Sequence, residues 1–218
     1  MNETLQDRVA LVTGAGQGIG LGIARRLHAA GAIVVIAEYN ADTGRAAADS
    51  MERAVFMPTD VTCREQVVAA VEDTLSRFGR LDLLVNNASP TGTPPARLEN
   101  RVDADFEHAF TGGFMAAWWA MQAVFVAMRE NRWGRIINLC SLNGVNAHPY
   151  TAEYNAAKES LRSLSRTAAR EWARHGICVN ILCPGAITPA YERFREYSPD
   201  NAAKLLEQNP MGYMGDPE

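Results

Sequence analysis

The residue pair best suited to move a proton is a tyrosine and a lysine four residues apart, Tyr154 and Lys158. On a helix this spacing places both side chains on one face, about one turn apart. A neighbouring ammonium group stabilises a phenolate. Lys158 is therefore expected to lower the pKa of Tyr154 from its unperturbed value of about 10 toward the range useful in general acid–base catalysis.

The alternative is a solvated lysine on an exposed helix face. The chain has six tyrosines but only two lysines, Lys158 and Lys204, among its 218 residues. About 0.06 pairs with this spacing are then expected by chance. The scarcity of lysine favours the catalytic interpretation.

A glycine-rich turn, TGAGQGIG at residues 13–20, follows the first apolar run of the chain. A helix that begins there presents free backbone N–H groups and the positive end of its dipole to a pyrophosphate. We therefore predict that Gly14, Gln17, Gly18, Ile19 and Gly20 contact a nucleotide cofactor. Such a turn could instead reflect tight packing of a helix on a strand. Its position directly after the first strand favours the nucleotide.

An acidic residue, Glu38, ends the second apolar run, 18 residues after Gly20. A carboxylate at this place accepts hydrogen bonds from a ribose 2′-hydroxyl and repels a 2′-phosphate. Neither Gln17 nor Tyr39 offers the positive charge that NADP would need. The predicted cofactor is NAD; a surface glutamate without a ligand is the alternative.

A serine, Ser141, follows the apolar run 135–140 and precedes Tyr154 by thirteen residues. Its hydroxyl would project at the carboxyl edge of a parallel sheet, where it could hydrogen-bond a substrate oxygen. Taken alone it is an ordinary serine at the end of a strand. Its predicted role depends on Tyr154.

Six apolar runs of strand length alternate with segments of helical spacing, which predicts an α/β fold. The runs are continuous rather than alternating, as expected for a parallel sheet covered by helices on both faces, the doubly wound arrangement. One domain spanning residues 1–218 is expected. The runs occupy residues 9–13, 33–37, 54–57, 81–85, 135–140 and 177–182.

Two stretches lack this pattern. Ser89 to Pro95 is rich in Pro, Thr and Gly, and Pro184 to Pro210 carries aromatic residues among polar ones. The second is predicted to be a lid, a substrate loop at about 185–210, with an ordinary surface connection as the alternative. Candidate substrate contacts, indicating a moderately apolar or aromatic alcohol, are Ser141, Asn143, His148, Tyr150, Tyr191 and Phe194.

Composition excludes several classes of partner. The net charge is -4 and basic residues are scattered, so nucleic-acid binding is not expected. The polar start lacks the order of a signal peptide, which predicts a cytoplasmic protein. Residues 113–128 form the most lipid-like stretch but are too short to span a membrane, so a buried helix is predicted. The four cysteines show no metal-ligand spacing and are expected to be reduced core thiols without a metal site; they are Cys63, Cys140, Cys178 and Cys183.

Together these motifs resemble the short-chain dehydrogenase/reductase family, in order along nearly the whole chain. The resemblance rests on TGAGQGIG, Asp60-Val61, Asn86-Asn87-Ala88, Ser141, Tyr154 with Lys158, and Pro184-Gly185. It implies a Rossmann-like domain, hydride exchange with nicotinamide, and a homodimer or homotetramer that pairs through the helices carrying Trp118-Trp119 and residues 154–174. It implies Ser141, Tyr154 and Lys158 as the catalytic group. The cofactor contacts that it adds are Asp60, Val61, Asn86, Asn87, Ala88, Tyr154, Lys158, Pro184, Gly185 and Ile187.

The chain departs from the family pattern at four places. Gly113 stands where the family has a catalytic Asn, and Gly112-Gly113 could loosen the helix there. Ser89 replaces a glycine, Thr188 falls one residue early with Pro189 after it, and the sequence ends at Glu218, before a final helix and strand that the family usually carries. Two functions therefore stay open: an NAD-dependent enzyme interconverting a secondary alcohol and a ketone, or an NAD-binding protein with impaired catalysis and a regulatory role.

Overall fold

A computed structural model describes residues 5–90, 93–207 and 209–217 of the chain. Its centre is a sheet of six parallel strands in the order β3-β2-β1-β4-β5-β6. All six were predicted, because buried parallel strands are apolar on both faces. Only β4 differs by more than one residue, since Leu81 and Asp82 lead into it. The strands are β1 Val9–Thr13, β2 Ile33–Glu38, β3 Ala54–Pro58, β4 Leu83–Asn86, β5 Gly134–Leu139 and β6 Ile177–Leu182.

Helices cover both faces of this sheet, as the doubly wound pattern predicts. Alternate residues of β1 point to opposite faces: Val9 and Leu11 pack toward α3, α5 and α7, whereas Ala10 and Val12 pack toward α1 and α2. The helices are α1 Gly18–Ala29, α2 Ala41–Asp49, α3 Arg64–Phe78, α4 Asp103–Phe110, α5 Ala116–Glu130, α6 Leu142–Val145, α7 Ala152–Trp172, α8 Pro189–Tyr197 and α9 Pro199–Glu207.

A π-helical turn, Thr111–Met115, joins α4 to α5. This is the helix interruption expected at Gly112-Gly113. Gly112 is buried there, and a Cβ atom on it would lie 2.9 Å from Cδ of Pro90. A side chain at this position would therefore push the helix away from the segment after β4.

The joined helix Asp103–Glu130 is, by length and composition, apolar enough to cross a membrane. In this fold, however, its α5 part packs on the sheet, with Ala120, Met121, Val124 and Met128 inside the core. The prediction of a buried helix in this region is confirmed.

The segment after β6 differs from the predicted loop. Residues 189–207 form the two helices α8 and α9, and Gln208 lies outside the described residues. Thr188 caps α8 by accepting a hydrogen bond from the Tyr191 N–H (3.1 Å), and Pro189 occupies the first helical position, where its missing N–H costs nothing. Pro199 likewise occupies the first position of α9, directly after Ser198. These helix-start signals were present in the sequence but were outweighed by the polar composition.

All four cysteines are free. The prediction of core thiols holds for Cys140, which is buried, and burial raises its pKa to about 11. It is wrong for Cys178, which is exposed, because the outer face of β6 points away from α7 and alternate residues of that strand lie at the surface.

Candidate active site

A cleft of about 570 Å³ opens at the carboxyl ends of β1, β2 and β4. Ten of the residues predicted to contact the cofactor line it, namely Gly14, Gln17, Gly18, Ile19, Gly20, Glu38, Asp60, Val61, Asn87 and Ala88. The other predicted contacts, including Pro184, Gly185 and Ile187, do not line this cleft. Pro189 and Arg193 from α8 do.

The glycines of the turn are needed for different structural reasons. Gly14 and Gly18 have φ angles of 64° and 55°, in the left-handed region where a side chain is strained. A Cβ atom on Gly20 would collide with the Gly14 carbonyl oxygen and would lie 2.5 Å from Nδ2 of Asn87. Gly20 is thus required by close packing of α1 on the end of β1, the alternative that the sequence left open, and it also lines the cleft.

Asn87 fixes this turn to β4. Its Nδ2 donates to the carbonyl oxygens of Thr13 (2.9 Å) and Gly14 (3.0 Å). The Thr13 hydroxyl in turn accepts from the Asn87 and Ala88 N–H groups, both at 3.0 Å. The Asn87 amide N–H groups are therefore engaged within the protein, and its contribution to a ligand is limited to its carbonyl oxygen.

Glu38 is held in place by backbone donors. One carboxylate oxygen accepts from the Gly16 N–H and the other from the Asn40 N–H, both at 3.0 Å. Each oxygen keeps a second lone pair for a hydroxyl group of a ligand. The next residue, Tyr39, is 76% exposed and carries no charge to attract a phosphate.

These features fit a dinucleotide. The residue that precedes α1, Gln17, makes no side-chain cap, and the first turn contains no acidic residue. The first N–H groups of α1 are thus without a side-chain acceptor at the wall of the cleft, where a phosphate oxygen can take that place.

Ser141 and Tyr154 meet at the carboxyl end of β5, one strand from the cleft wall at Ala88. The Ser141 hydroxyl is close enough to the Tyr154 phenol to lower its pKa as a hydrogen-bond donor, and Tyr154 lies in the first turn of α7, largely buried. Ser141 caps α6 by accepting from the Asn143 N–H at 3.2 Å, which orients its hydroxyl. The two residues that the sequence assigned to the substrate oxygen thus lie side by side.

Lys158 is buried, with 2% of its surface exposed. Its Nζ donates to the Leu139 carbonyl oxygen at 2.8 Å and lies 5.6 Å from the centre of the Tyr154 ring. Burial lowers the pKa of Lys158 to about 8. The pair shares a helix face as predicted, but the ammonium group is anchored on β5 rather than on the phenol.

The expected effect of Lys158 on Tyr154 is consequently wrong for this structure. Burial raises the pKa of Tyr154, because a phenolate loses more hydration than a phenol, and only the hydrogen bond with Ser141 opposes this rise. Tyr154 is therefore a neutral phenol at pH 7.

A network of hydrogen bonds between buried side chains joins the strands and the helix next to the site. Asn86 pairs in register with Asn138 and donates from Nδ2 to its Oδ1 at 2.8 Å. Asn138 donates in turn to the Ser165 hydroxyl of α7 at 2.7 Å. This network ties β4, β5 and α7 together, so the Asn86 side chain, placed beside the cofactor by the resemblance, is used inside the protein.

The turn between α6 and α7 carries two of the predicted substrate contacts, His148 and Tyr150, and a third, Asn143, lies in α6. The His148 N–H donates to the Asn143 carbonyl oxygen at 2.9 Å. Tyr150, 47% exposed, has a φ of 70°, and its carbonyl oxygen accepts from the Arg101 guanidinium at 2.6 Å. Arg101 also lies 2.9 Å from the Glu153 carboxylate, and both side chains are almost fully buried. Sequence reasoning missed this ion pair, since 52 residues separate its members.

The remaining predicted contacts, Tyr191 and Phe194, lie half-buried on α8. Sequence reasoning also missed His108 of α4 and Arg193 of α8 in the lining of the cleft. Arg193 carried a weak signal, because it lies four residues after Pro189 and thus on the same helix face. Within the part of the chain that the structure describes, no cluster of His, Cys, Asp or Glu could hold a metal ion.

The chain is similar in sequence to known dehydrogenases along most of its length. The family model described as short chain dehydrogenase matches residues 8–198. An L-fucose dehydrogenase of Oryctolagus cuniculus is 36% identical over 215 residues, which cover 96% of this chain and 75% of the relative. A 12alpha-hydroxysteroid dehydrogenase of a Clostridium species is 34% identical over 224 residues, 97% of this chain and 85% of the relative.

The fold is likewise similar to a solved structure, that of levodione reductase. The TM-score is 0.89 at 30% identity, and the match covers 98% of this chain and 87% of the other. Because the family model spans most of the chain and relatives above 30% identity run along nearly all of it, the chain belongs to the short-chain dehydrogenase/reductase family of oxidoreductases.

Proposed function

We propose that this oxidoreductase uses NAD(H) to interconvert a secondary alcohol and a ketone, with Tyr154 as general acid and base. The observation that carries the proposal is the placement of Ser141 beside Tyr154, with buried Lys158 on the same helix as Tyr154, one strand from a cleft suited to a dinucleotide. A nicotinamide bound there would supply or accept the hydride.

The residues of this chain would handle the substrate oxygen and its proton. Ser141, fixed by the Asn143 N–H, orients the oxygen. Tyr154 gives a proton to that oxygen in ketone reduction and takes it back in alcohol oxidation. Because burial raises the pKa of Tyr154, the phenol is already protonated at pH 7 and is suited to reduction. Lys158 would hold the cofactor ribose through the N–H bonds that Leu139 does not use.

The preference for NAD over NADP rests on Glu38. Its carboxylate lines the cleft and is held there by the Gly16 and Asn40 N–H groups. A 2′-phosphate would meet this fixed negative charge, whereas a ribose hydroxyl would find an acceptor.

The substrate is proposed to be a moderately apolar or aromatic alcohol. The support is the position of Tyr150 next to the catalytic helix α7 and of Tyr191 and Phe194 on α8. The relatives are named for L-fucose, a hydroxysteroid and levodione, which do not select one substrate for this chain. A cytoplasmic location and a homodimer or homotetramer, paired through α5 and α7, belong to the same proposal.

An NAD-binding protein with impaired catalysis is not favoured. This alternative was suggested by Gly113, which stands in place of the family's Asn and lies in the π-helical turn that interrupts the helix. The catalytic group is nevertheless assembled, and the relatives compared above carry the names of dehydrogenases and a reductase.

The test is a screen of secondary alcohols with NAD and of ketones with NADH, followed through absorbance of the reduced nicotinamide. Turnover is expected in the wild-type chain and should be lost in Tyr154→Phe, while NADH binding is retained. Tyr197→Phe, a change at a tyrosine that is 83% exposed, is the matched control and should keep full activity. Turnover that persists in Tyr154→Phe would exclude the proposed role of the phenol.

A further inference from the structure

We infer that Arg193 of α8 binds the pyrophosphate of the dinucleotide, across the cleft from the glycine turn. The inference rests on the proposed use of NAD(H) and adds a residue from outside the nucleotide motif. Among the described residues that line the cleft, Arg193 is the only arginine or lysine. The glycine turn itself contributes no charged side chain.

The position of α8 supports this assignment. A Cβ atom built on Gly18 would lie 3.6 Å from Cδ of Pro189 and 3.8 Å from Cγ2 of Thr188. The first turn of α8 therefore faces the first turn of α1 directly. Arg193 follows Pro189 by four residues, so both lie on one face of α8, about 6 Å apart along its axis.

The charges in the cleft favour a cation beside this ligand. The acidic side chains in the lining are Glu38 and Asp60. A pyrophosphate would add two negative charges, and the neutral backbone N–H groups of α1 would balance them only in part. An arginine near the phosphates offsets this repulsion and can donate two parallel hydrogen bonds to phosphate oxygens.

Arg193 is available for such a contact. Its side chain is exposed to the cleft and forms no hydrogen bond or ion pair with any other residue that the structure describes. By contrast, Asp60 is engaged, because one of its oxygens accepts from the Thr62 N–H (2.9 Å) and hydroxyl (2.7 Å). A cation without a protein partner, on the wall of a cleft with unsatisfied backbone N–H groups opposite, fits an anionic ligand.

The experiment compares Arg193→Ala, Arg193→Lys and a matched control, Arg195→Ala, which removes the same charge from the same helix at a residue that does not line the cleft. Dissociation constants are measured for NADH by its fluorescence, and for ADP-ribose and adenosine by competition against NADH. ADP-ribose contains the pyrophosphate without nicotinamide, whereas adenosine contains no phosphate.

Arg193→Ala should weaken the binding of NADH and ADP-ribose by about 10- to 30-fold. This is the effect expected from losing one charge-assisted hydrogen bond at a partly exposed site. Arg193→Lys should weaken them less, and Arg195→Ala should leave all three constants unchanged. Adenosine should bind every variant equally.

Dissociation constants for NADH and ADP-ribose that are unchanged in Arg193→Ala would overturn the inference. If the variant then affected only the turnover of an acidic substrate, the arginine would be assigned to the substrate instead. Equal weakening of adenosine would also overturn it, since the arginine would then act on the shape of the cleft. If the wild-type chain itself binds no NADH, the failure lies in the proposed cofactor, and the assignment of Arg193 falls with it.

Discussion

Replacing Glu153 with alanine is predicted to destabilise the fold by about 3 kcal/mol, because the change leaves a buried guanidinium group without its nearest counterion. The side chains of Arg101 and Glu153 are 2% and 4% exposed, and Nε and Oε2 lie 2.9 Å apart. Removing one member of a buried pair costs about 3–5 kcal/mol.

The lower end of that range applies for two reasons. Arg101 keeps the Tyr150 carbonyl oxygen at 2.6 Å and the Asp105 carboxylate at 3.5 Å. In addition, the close contact between Arg101 and Glu153 is not aligned as a hydrogen bond. The attraction between the two groups is therefore Coulombic, and Glu153→Ala removes no hydrogen bond from Nε of Arg101.

The assay is urea denaturation followed by tryptophan fluorescence, applied to Glu153→Ala, Arg101→Ala and the double variant. The double variant should cost less than the sum of the single ones by about 1–3 kcal/mol, because the second change removes a charge that the first left unpaired. Glu99→Ala is the control. Its pair with Arg97 spans 3.8 Å with side chains 67% and 68% exposed, and its loss should cost less than about 1 kcal/mol.

A Glu153→Ala variant within about 1 kcal/mol of the wild type would refute this reasoning. Strictly additive single changes would refute it as well, since they would show that the two side chains do not interact.

Three further changes test the strands, the glycine turn and the π-helical turn that position the site. Burial opposes ionisation of Asp82, but hydrogen bonds from two arginines and from a backbone N–H outweigh this effect and lower the pKa of Asp82. The ionised carboxylate therefore stabilises the folded state. This contribution is complete above a pH of about 4, the pKa of an unfolded Asp, and is lost as the pH falls through the lower pKa of the folded state. Denaturation at a series of pH values should thus show Asp82→Asn less stable than the wild type at pH 7, with a gap that narrows in acid; a gap independent of pH would contradict this. Gly20→Ala should cost about 1–3 kcal/mol or prevent folding, because its methyl group meets the Gly14 carbonyl. Gly113→Ala, where the nearest atom is 3.6 Å away, is the control and should leave the stability measured by urea denaturation nearly unchanged.

The strands and the shared helix face of Tyr154 and Lys158 were predictable because their signals are local. A strand buried on both faces is a continuous apolar run, which the sequence displays directly. A spacing of four residues predicts a shared helix face, and Tyr154 and Lys158 do share one. The spacing does not predict which atom the ammonium group reaches. That depends on the Leu139 carbonyl, which β5 brings to Lys158 from 19 residues away.

Contacts between distant segments explain the other differences. Nothing near Glu153 in the sequence indicates that Arg101 is its partner, and only its spacing of four residues from Pro189 relates Arg193 to the cleft. The helices α8 and α9 were missed for a different reason: their polar composition resembled a loop, although a Thr-Pro and a Ser-Pro step mark their starts.

The π-helical turn at Thr111–Met115 also sets the phase of the long helix on which it lies. Such a turn holds one residue more than an α-helical turn, and each residue accounts for about 100° of rotation. Deleting one residue between Thr111 and Met115 would restore a regular α-helix but would turn α5 by more than a quarter of a revolution relative to α4. Met121, Val124 and Met128 would then face away from the core. The irregular turn is thus the winding that lets α4 and α5 both present their apolar sides to the protein.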